Sequence, residues 1–132
     1  MDRRSEPDRE LDGLAREAVD AALEVHRILG PGFLESAYEN ALCVELEGRG
    51  IAFRRQVSVA ALYKGREVGH GQLDLLIGGR LIAELKAVEA LAPVHSVQLR
   101  SYLKVTGLQL GLLINFNVPV LRQGLRRIVL ST

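Results

Sequence analysis

The sequence predicts a single α/β domain with two N-terminal helices, an antiparallel meander of three strands, a crossover helix and further strand structure beyond it. Three observations predict this. Apolar residues return every three or four positions across residues 11–29 and again across 33–48, the spacing of an amphipathic helix. Glycine-containing turns cut residues 51–88 into β-branched and apolar runs, the pattern of successive strands. A helical segment opened by Pro93 leads into the nearly unbroken apolar run 108–116, which suits a strand covered on both faces.

Taken in order, the first helix is expected to start from a loose capping box of Ser5 and Asp8 with Pro7 in its first turn. Its apolar side is Leu11, Leu14, Ala15, Ala18, Ala22, Val25 and Leu29. Gly30-Pro31-Gly32 stops helical propagation. A second helix over 33–48 resumes the period with Leu34, Ala37, Tyr38, Ala41, Leu42 and Leu46. Residues 51–63 and 67–77 form a hairpin about Lys64-Gly65, and Gly78-Gly79 turns the chain into a third strand over 81–88. Gly107 ends the helix that Pro93 opens. Residues 126–130 add an edge strand, and Pro119 keeps it separate from the central run.

The bulk numbers restrict the function classes. A chain of 132 residues, 48% hydrophobic and 25% charged, has enough apolar material for one core, so residues 1–132 read as one domain. Neither a membrane span nor the apolar segment of a signal peptide is present, and a cytoplasmic protein is expected. The lone Cys43 forms no internal disulfide and reads as a buried structural thiol. A net charge of +1 gives no global signature of nucleic-acid binding. Phosphate affinity would need a local patch from among Arg54, Arg55, Lys64, Arg66, Arg100, Lys104, Arg122, Arg126 and Arg127.

Chemistry concentrates on the second and third strands. Residues two apart on a strand share a face, so Glu84 and Lys86 project together while Leu81, Ala83, Leu85 and Ala87 enter the other face. Alone, that pair describes a surface ion pair. Asp74 changes the reading, because it interrupts the core-like run Leu73 to Ile77 on the preceding strand, where an acid needs a partner or a metal. Register decides whether the acids meet. A two-residue turn at Gly78-Gly79 would put Asp74 and Glu84 on opposite faces; a three-residue loop that includes Arg80 pairs Ile77 with Leu81 and Asp74 with Glu84. The three-residue register is predicted.

Two oxygen ligands on neighbouring strands suit a hard cation, magnesium or manganese. Glu35, at the border of the second helix's apolar face, offers a third acid or else a helix-start carboxylate favoured by the macrodipole. Gln98 and Tyr102, four apart on the third helix, share a face from which an amide and a phenol would orient a phosphate, Lys86 or a water. His26 and His95 read as structural histidines on helix flanks, and Tyr38 as core.

Gly32-Phe33-Leu34-Glu35-Ser36-Ala37-Tyr38 resembles the signature of the GxxExxY proteins, and the resemblance continues through Gly71-Gln72-Leu73-Asp74, Glu84-Leu85-Lys86, Pro93-Val94-His95 and Gly111-Leu112-Leu113-Ile114-Asn115-Phe116. That family looks like a compact branch of the PD-(D/E)xK nuclease superfamily, with its restriction-endonuclease-like core and RecB-like motif order. The resemblance implies that Glu35 is the helix acid, Asp74 the GxxD aspartate, Glu84 and Lys86 the ExK pair, and Gln98 with Tyr102 the QxxxY motif. Leu73 stands where the superfamily often has proline, a proline that RecB-like members also lack. The expectation is a magnesium- or manganese-dependent nuclease acting on nucleic acid, DNA ahead of RNA. Asp74, Glu84, Glu35 and the Leu85 carbonyl would be metal ligands; Asp74, Glu84, Lys86, Gln98 and Tyr102 would be catalytic residues. The rival readings are a catalytically silent nucleic-acid-binding or assembly module of the same fold, and a structural domain whose polar strand face makes a homodimer.

Overall fold

The structure, a computed structural model, describes residues 7–130. The elements are α1 (Arg9–Leu29), α2 (Glu35–Gly48), β1 (Phe53–Tyr63), β2 (Arg66–Ile77), β3 (Leu81–Lys86), α3 (Pro93–Thr106), β4 (Leu110–Asn115), a short 3-10 turn (Leu121–Gly124) and β5 (Leu125–Val129). The strands form one sheet in the order β1-β2-β3-β4-β5. β3 and β4 are parallel and every other neighbouring pair is antiparallel. The expected α/β class, with meander, crossover helix and late strands, is what the chain adopts.

Helix starts depart slightly from expectation. Asp8 is the N-cap of α1, its carboxylate accepting the Leu11 N–H at 2.9 Å, so one side chain does the work assigned to the Ser5–Asp8 box. Pro7 precedes the cap rather than sitting in the first turn, and Ser5 lies outside the described residues. α2 begins at Glu35 rather than Phe33 because the Phe33 N–H donates to Tyr38 Oη at 3.1 Å, while that hydroxyl donates to the Gly30 carbonyl at 2.6 Å. Tyr38 thus clasps the Gly30-Pro31-Gly32 connection. Its buried ring stacks on Phe116 with centroids 4.6 Å apart.

Two apolar clusters sandwich the sheet. α1 and α2 cover one face through Ala18, Ala22, Leu42 and Leu46 against Leu75, Ile77, Leu81, Ala83 and Leu85. α3 covers the other through Leu99 and Leu103 against Leu73, Ile82 and Leu113. All six residues of β4 are buried, as a strand covered on both faces should be.

Two details of the sheet position the site. Gly78 and Gly79 have φ values of 60° and 71°, and Arg80 N–H bonds the Ile77 carbonyl at 3.1 Å, so the glycines make the tight turn and Arg80 is the extra residue. The pairs Leu75↔Ala83, Leu76↔Ile82 and Ile77↔Leu81 follow. One further step of that register sets Asp74 against Glu84, the alignment the sequence requires. The second detail lies farther along the hairpin, where Leu75 belongs to the cluster under α1 and α2 but Leu73 to the cluster under α3. Residues two apart normally share a face, so the strand rolls over at Asp74. Gln56, between the pairs Arg55↔Leu75 and Val57↔Leu73, stands opposite and has a left-handed φ of 48°.

Candidate functional site

Asp74 and Glu84 are joined across their two strands. Asp74 N–H donates to Glu84 Oε2 at 2.9 Å, and Leu85 N–H donates to Asp74 Oδ2 at 2.8 Å. Each carboxylate therefore takes a backbone donor of the neighbouring strand just where the ladder of β2 and β3 ends. Glu84 is 4% exposed, on a strand whose neighbours Leu81 to Leu85 are all buried. An acid held there without a countercharge is costly.

The electrostatics reflect that cost. Burial and then the Asp74 charge push Glu84 up to about 8, against the favourable influence of the Asp74 N–H and the Lys86 ammonium. Asp74 is raised as well, chiefly by burial, with the Leu85 N–H and Lys86 opposing. Glu35, at the exposed first turn of α2, is raised by desolvation and by Asp74, and is eased by Lys86. Tyr102 is raised by burial and by the Glu84 charge, with the Gln72 backbone opposing. Glu35, Asp74, Glu84, Lys86 and Tyr102 thus act on one another as one cluster drawn from α2, β2, β3 and α3. Gln98 is exposed on α3 one turn before Tyr102, and among the described residues no hydrogen bond ties it to the acids.

Other sequence candidates serve the scaffold. His26 Nε2 lies 2.7 Å from the Val118 carbonyl, and His95 Nδ1 accepts the Ala92 N–H at the start of α3. Cys43 is buried, and burial pushes its thiol up. Of the basic residues considered for phosphate, Arg55 pairs with Glu39, Arg127 pairs with Asp12, and Arg126 donates to the Gln123 and Leu125 carbonyls.

The pattern reading passes over Glu39 and Gln56. Glu39 is buried; its Oε2 accepts Arg55 Nε and Nη2 at 3.1 and 3.0 Å, and its Oε1 accepts Gln56 Nε2 at 2.9 Å. The Gln56 side chain also eases the Asp74 charge. A signal for Glu39 existed, since it lies three and seven residues before Leu42 and Leu46 on the apolar side of α2. None existed for Gln56, whose role depends on a backbone twist.

Among the described residues no three His, Cys, Asp or Glu side chains already converge on a common point. The donor chemistry nevertheless fits a hard cation, which takes one or two carboxylates and keeps several waters. A buried Glu84 and a half-buried Asp74, both with raised affinities for protons, are what such an ion would discharge. No curated protein and no solved structure matches the chain. Residues 12–128, from within α1 to within β5, match the PD-(D/E)XK nuclease superfamily. That span holds all five members of the cluster, and the chain belongs to the PD-(D/E)XK nuclease superfamily.

Proposed function

We propose that the protein is a magnesium- or manganese-dependent nuclease that hydrolyses phosphodiester bonds, in DNA ahead of RNA, and that it belongs to the GxxExxY branch of its superfamily. One observation carries the reading: Glu84 is buried, hydrogen-bonded to the Asp74 backbone and held near 8, with Lys86 beside it. A sheet serving only for packing gains nothing from two repelling acids on neighbouring strands. The superfamily of nucleases to which the chain belongs gives the arrangement its chemical context, and the RecB-like order of the motifs favours DNA.

Asp74, Glu84 and the Leu85 carbonyl, with Glu35 at the rim, are the groups that would hold the cation. When bound, a divalent ion supplies Lewis acidity, polarising the phosphodiester and easing loss of a proton from water. Lys86 orients the attacking water and stabilises negative charge developing on the phosphoryl oxygens. Tyr102, with Gln98 a turn away, positions the phosphate. The water oxygen bonds to phosphorus, one ester P–O bond breaks, and the departing alkoxide takes up a proton.

The test is incubation of the purified protein with labelled single-stranded, double-stranded and branched DNA and with RNA, in magnesium or manganese, beside Asp74→Ala and Lys86→Ala. Metal-dependent cutting that both substitutions abolish is expected. Cutting that survives both would defeat the assignment, and binding without cutting in either metal would favour the silent module.

A further inference from the structure

We infer that Gln56 is a positioning residue for Asp74: its amide, anchored on Glu39, fixes the orientation in which the Asp74 carboxylate receives a divalent cation. This rests on the metal-site reading above.

The backbone gives the first reason. Gln56 stands opposite Asp74 where the β1–β2 hairpin exchanges faces. Among the described residues only Gln56 and Lys64 are non-glycine residues with positive φ, and Lys64 occupies the hairpin turn, where that conformation is required. Gln56 has no turn to serve. A left-handed residue other than glycine costs roughly 1–2 kcal/mol, and persists where its surroundings over-determine it, which is why such residues collect at functional sites.

The surroundings are specific. Glu39 is held by the Arg55 fork on one oxygen and by Gln56 Nε2 on the other. With both oxygens engaged by β1, it is an anchor rather than a free ligand. Gln56 is hydrogen-bonded to Glu39, stands opposite Asp74 in the strand register and eases the Asp74 charge, so one amide lies between an anchored carboxylate on α2 and the carboxylate on β2. Glutamine is the apt group for this place. A lysine or arginine would compete with an incoming cation for Asp74, and a glutamate would repel both acids; a neutral amide steers Asp74 while leaving its charge available.

The experiment is titration calorimetry with Mn2+ on the full chain, comparing wild type, Gln56→Gly, Gln56→Met and Asp74→Ala, with thermal melts of each. Gln56→Gly removes the amide and accepts the left-handed backbone; Gln56→Met keeps the length without the donors and serves should the glycine variant not fold. Loss of an outer-shell partner weakens metal binding about 10–100-fold. Both variants should show that loss while Gln56→Gly still melts cooperatively as a folded protein, its backbone relief offsetting the lost hydrogen bond to Glu39. Cutting by Gln56→Gly should then need correspondingly more Mn2+ and recover at saturating metal, which cutting by Asp74→Ala should not. Wild-type Mn2+ affinity in a folded Gln56 variant would overturn this inference alone. Failure of the wild type to bind Mn2+ would overturn the metal-site reading and take the inference with it.

Discussion

Tyr102 lies across Gly71 so closely that a Cβ at position 71 would stand 2.5 Å from the phenol oxygen. The glycine of the GxxD segment is thus a seat for the tyrosine of the third helix. We predict that Gly71→Ala costs about 1–3 kcal/mol by overpacking, read as a lower urea midpoint at unchanged slope. The clash should vanish once the ring is gone, so Gly71→Ala and Tyr102→Ala should be coupled by roughly 1 kcal/mol or more. Strict additivity in that double-mutant cycle would disprove the seating.

The acid pair makes stability depend on pH in an unusual direction. Glu84 titrates at about 8 in the fold against 4.5 ordinarily. Below the lower value both folded and unfolded chains hold the proton, and nothing is lost. Between the two, the folded chain keeps a proton that the unfolded chain gives up, so stability falls as pH rises; above the upper value the cost is complete. The loss is on the order of a few kcal/mol. Without divalent ions, Tm should decline between pH 5 and 8, Glu84→Gln should flatten the decline, and Mn2+ should raise the wild-type Tm most at the alkaline end. A flat wild-type profile would contradict the assignment.

Lys86 should separate metal binding from chemistry. It eases the charge of Glu35, Asp74 and Glu84 without being a ligand itself. Lys86→Ala is predicted to bind Mn2+ at least as tightly as wild type while cutting about 10²–10³-fold more slowly, the usual loss when a transition-state charge partner is removed. Calorimetry and single-turnover rates on the same preparation decide the matter, and equal losses in both would make the lysine structural.

Tyr38, the final residue of the GxxExxY-like segment, acts through the scaffold. Its hydroxyl both donates to Gly30 and accepts from Phe33, just ahead of Glu35. Tyr38→Phe leaves both backbone groups without that partner, and about 1–3 kcal/mol should be lost. Metal affinity should change far less than in Asp74→Ala. A melt indistinguishable from wild type would show that the clasp does not contribute.

Much of this was legible in the residues. The turn at Gly78-Gly79 could be assigned its extra residue because the faces of Leu81, Ala83 and Leu85 and the isolated acid at 74 agree only in that register. Asp74, Glu84 and Lys86 follow from spacing and register, whereas Glu35 and Tyr102 join them through the family resemblance, since spacing alone leaves Glu35 equally a helix-start carboxylate. Gln56 was not legible, because a left-handed residue inside a strand is stabilised by anchors on another element, here Glu39 on α2. The pairing of Arg55 with Glu39 was not legible for the same reason: the partner is 16 residues away in sequence. Start positions shifted by a residue or two wherever a side chain, Asp8 or Tyr38, took the backbone donor that would otherwise have begun the helix.

The three-residue connection between β2 and β3 also fixes an order of assembly. Asp74 and Glu84 meet by closing one short loop, whereas Tyr102 comes from α3, beyond β3 in the chain. Local pairings form sooner than distant ones. The repelling carboxylates should therefore come together in a nascent hairpin before the helix that shields one side of them has docked. The Leu85 amide, whose acceptor is the Asp74 side chain, is the natural reporter: in pulsed hydrogen exchange during refolding it should gain protection ahead of the amides of β4.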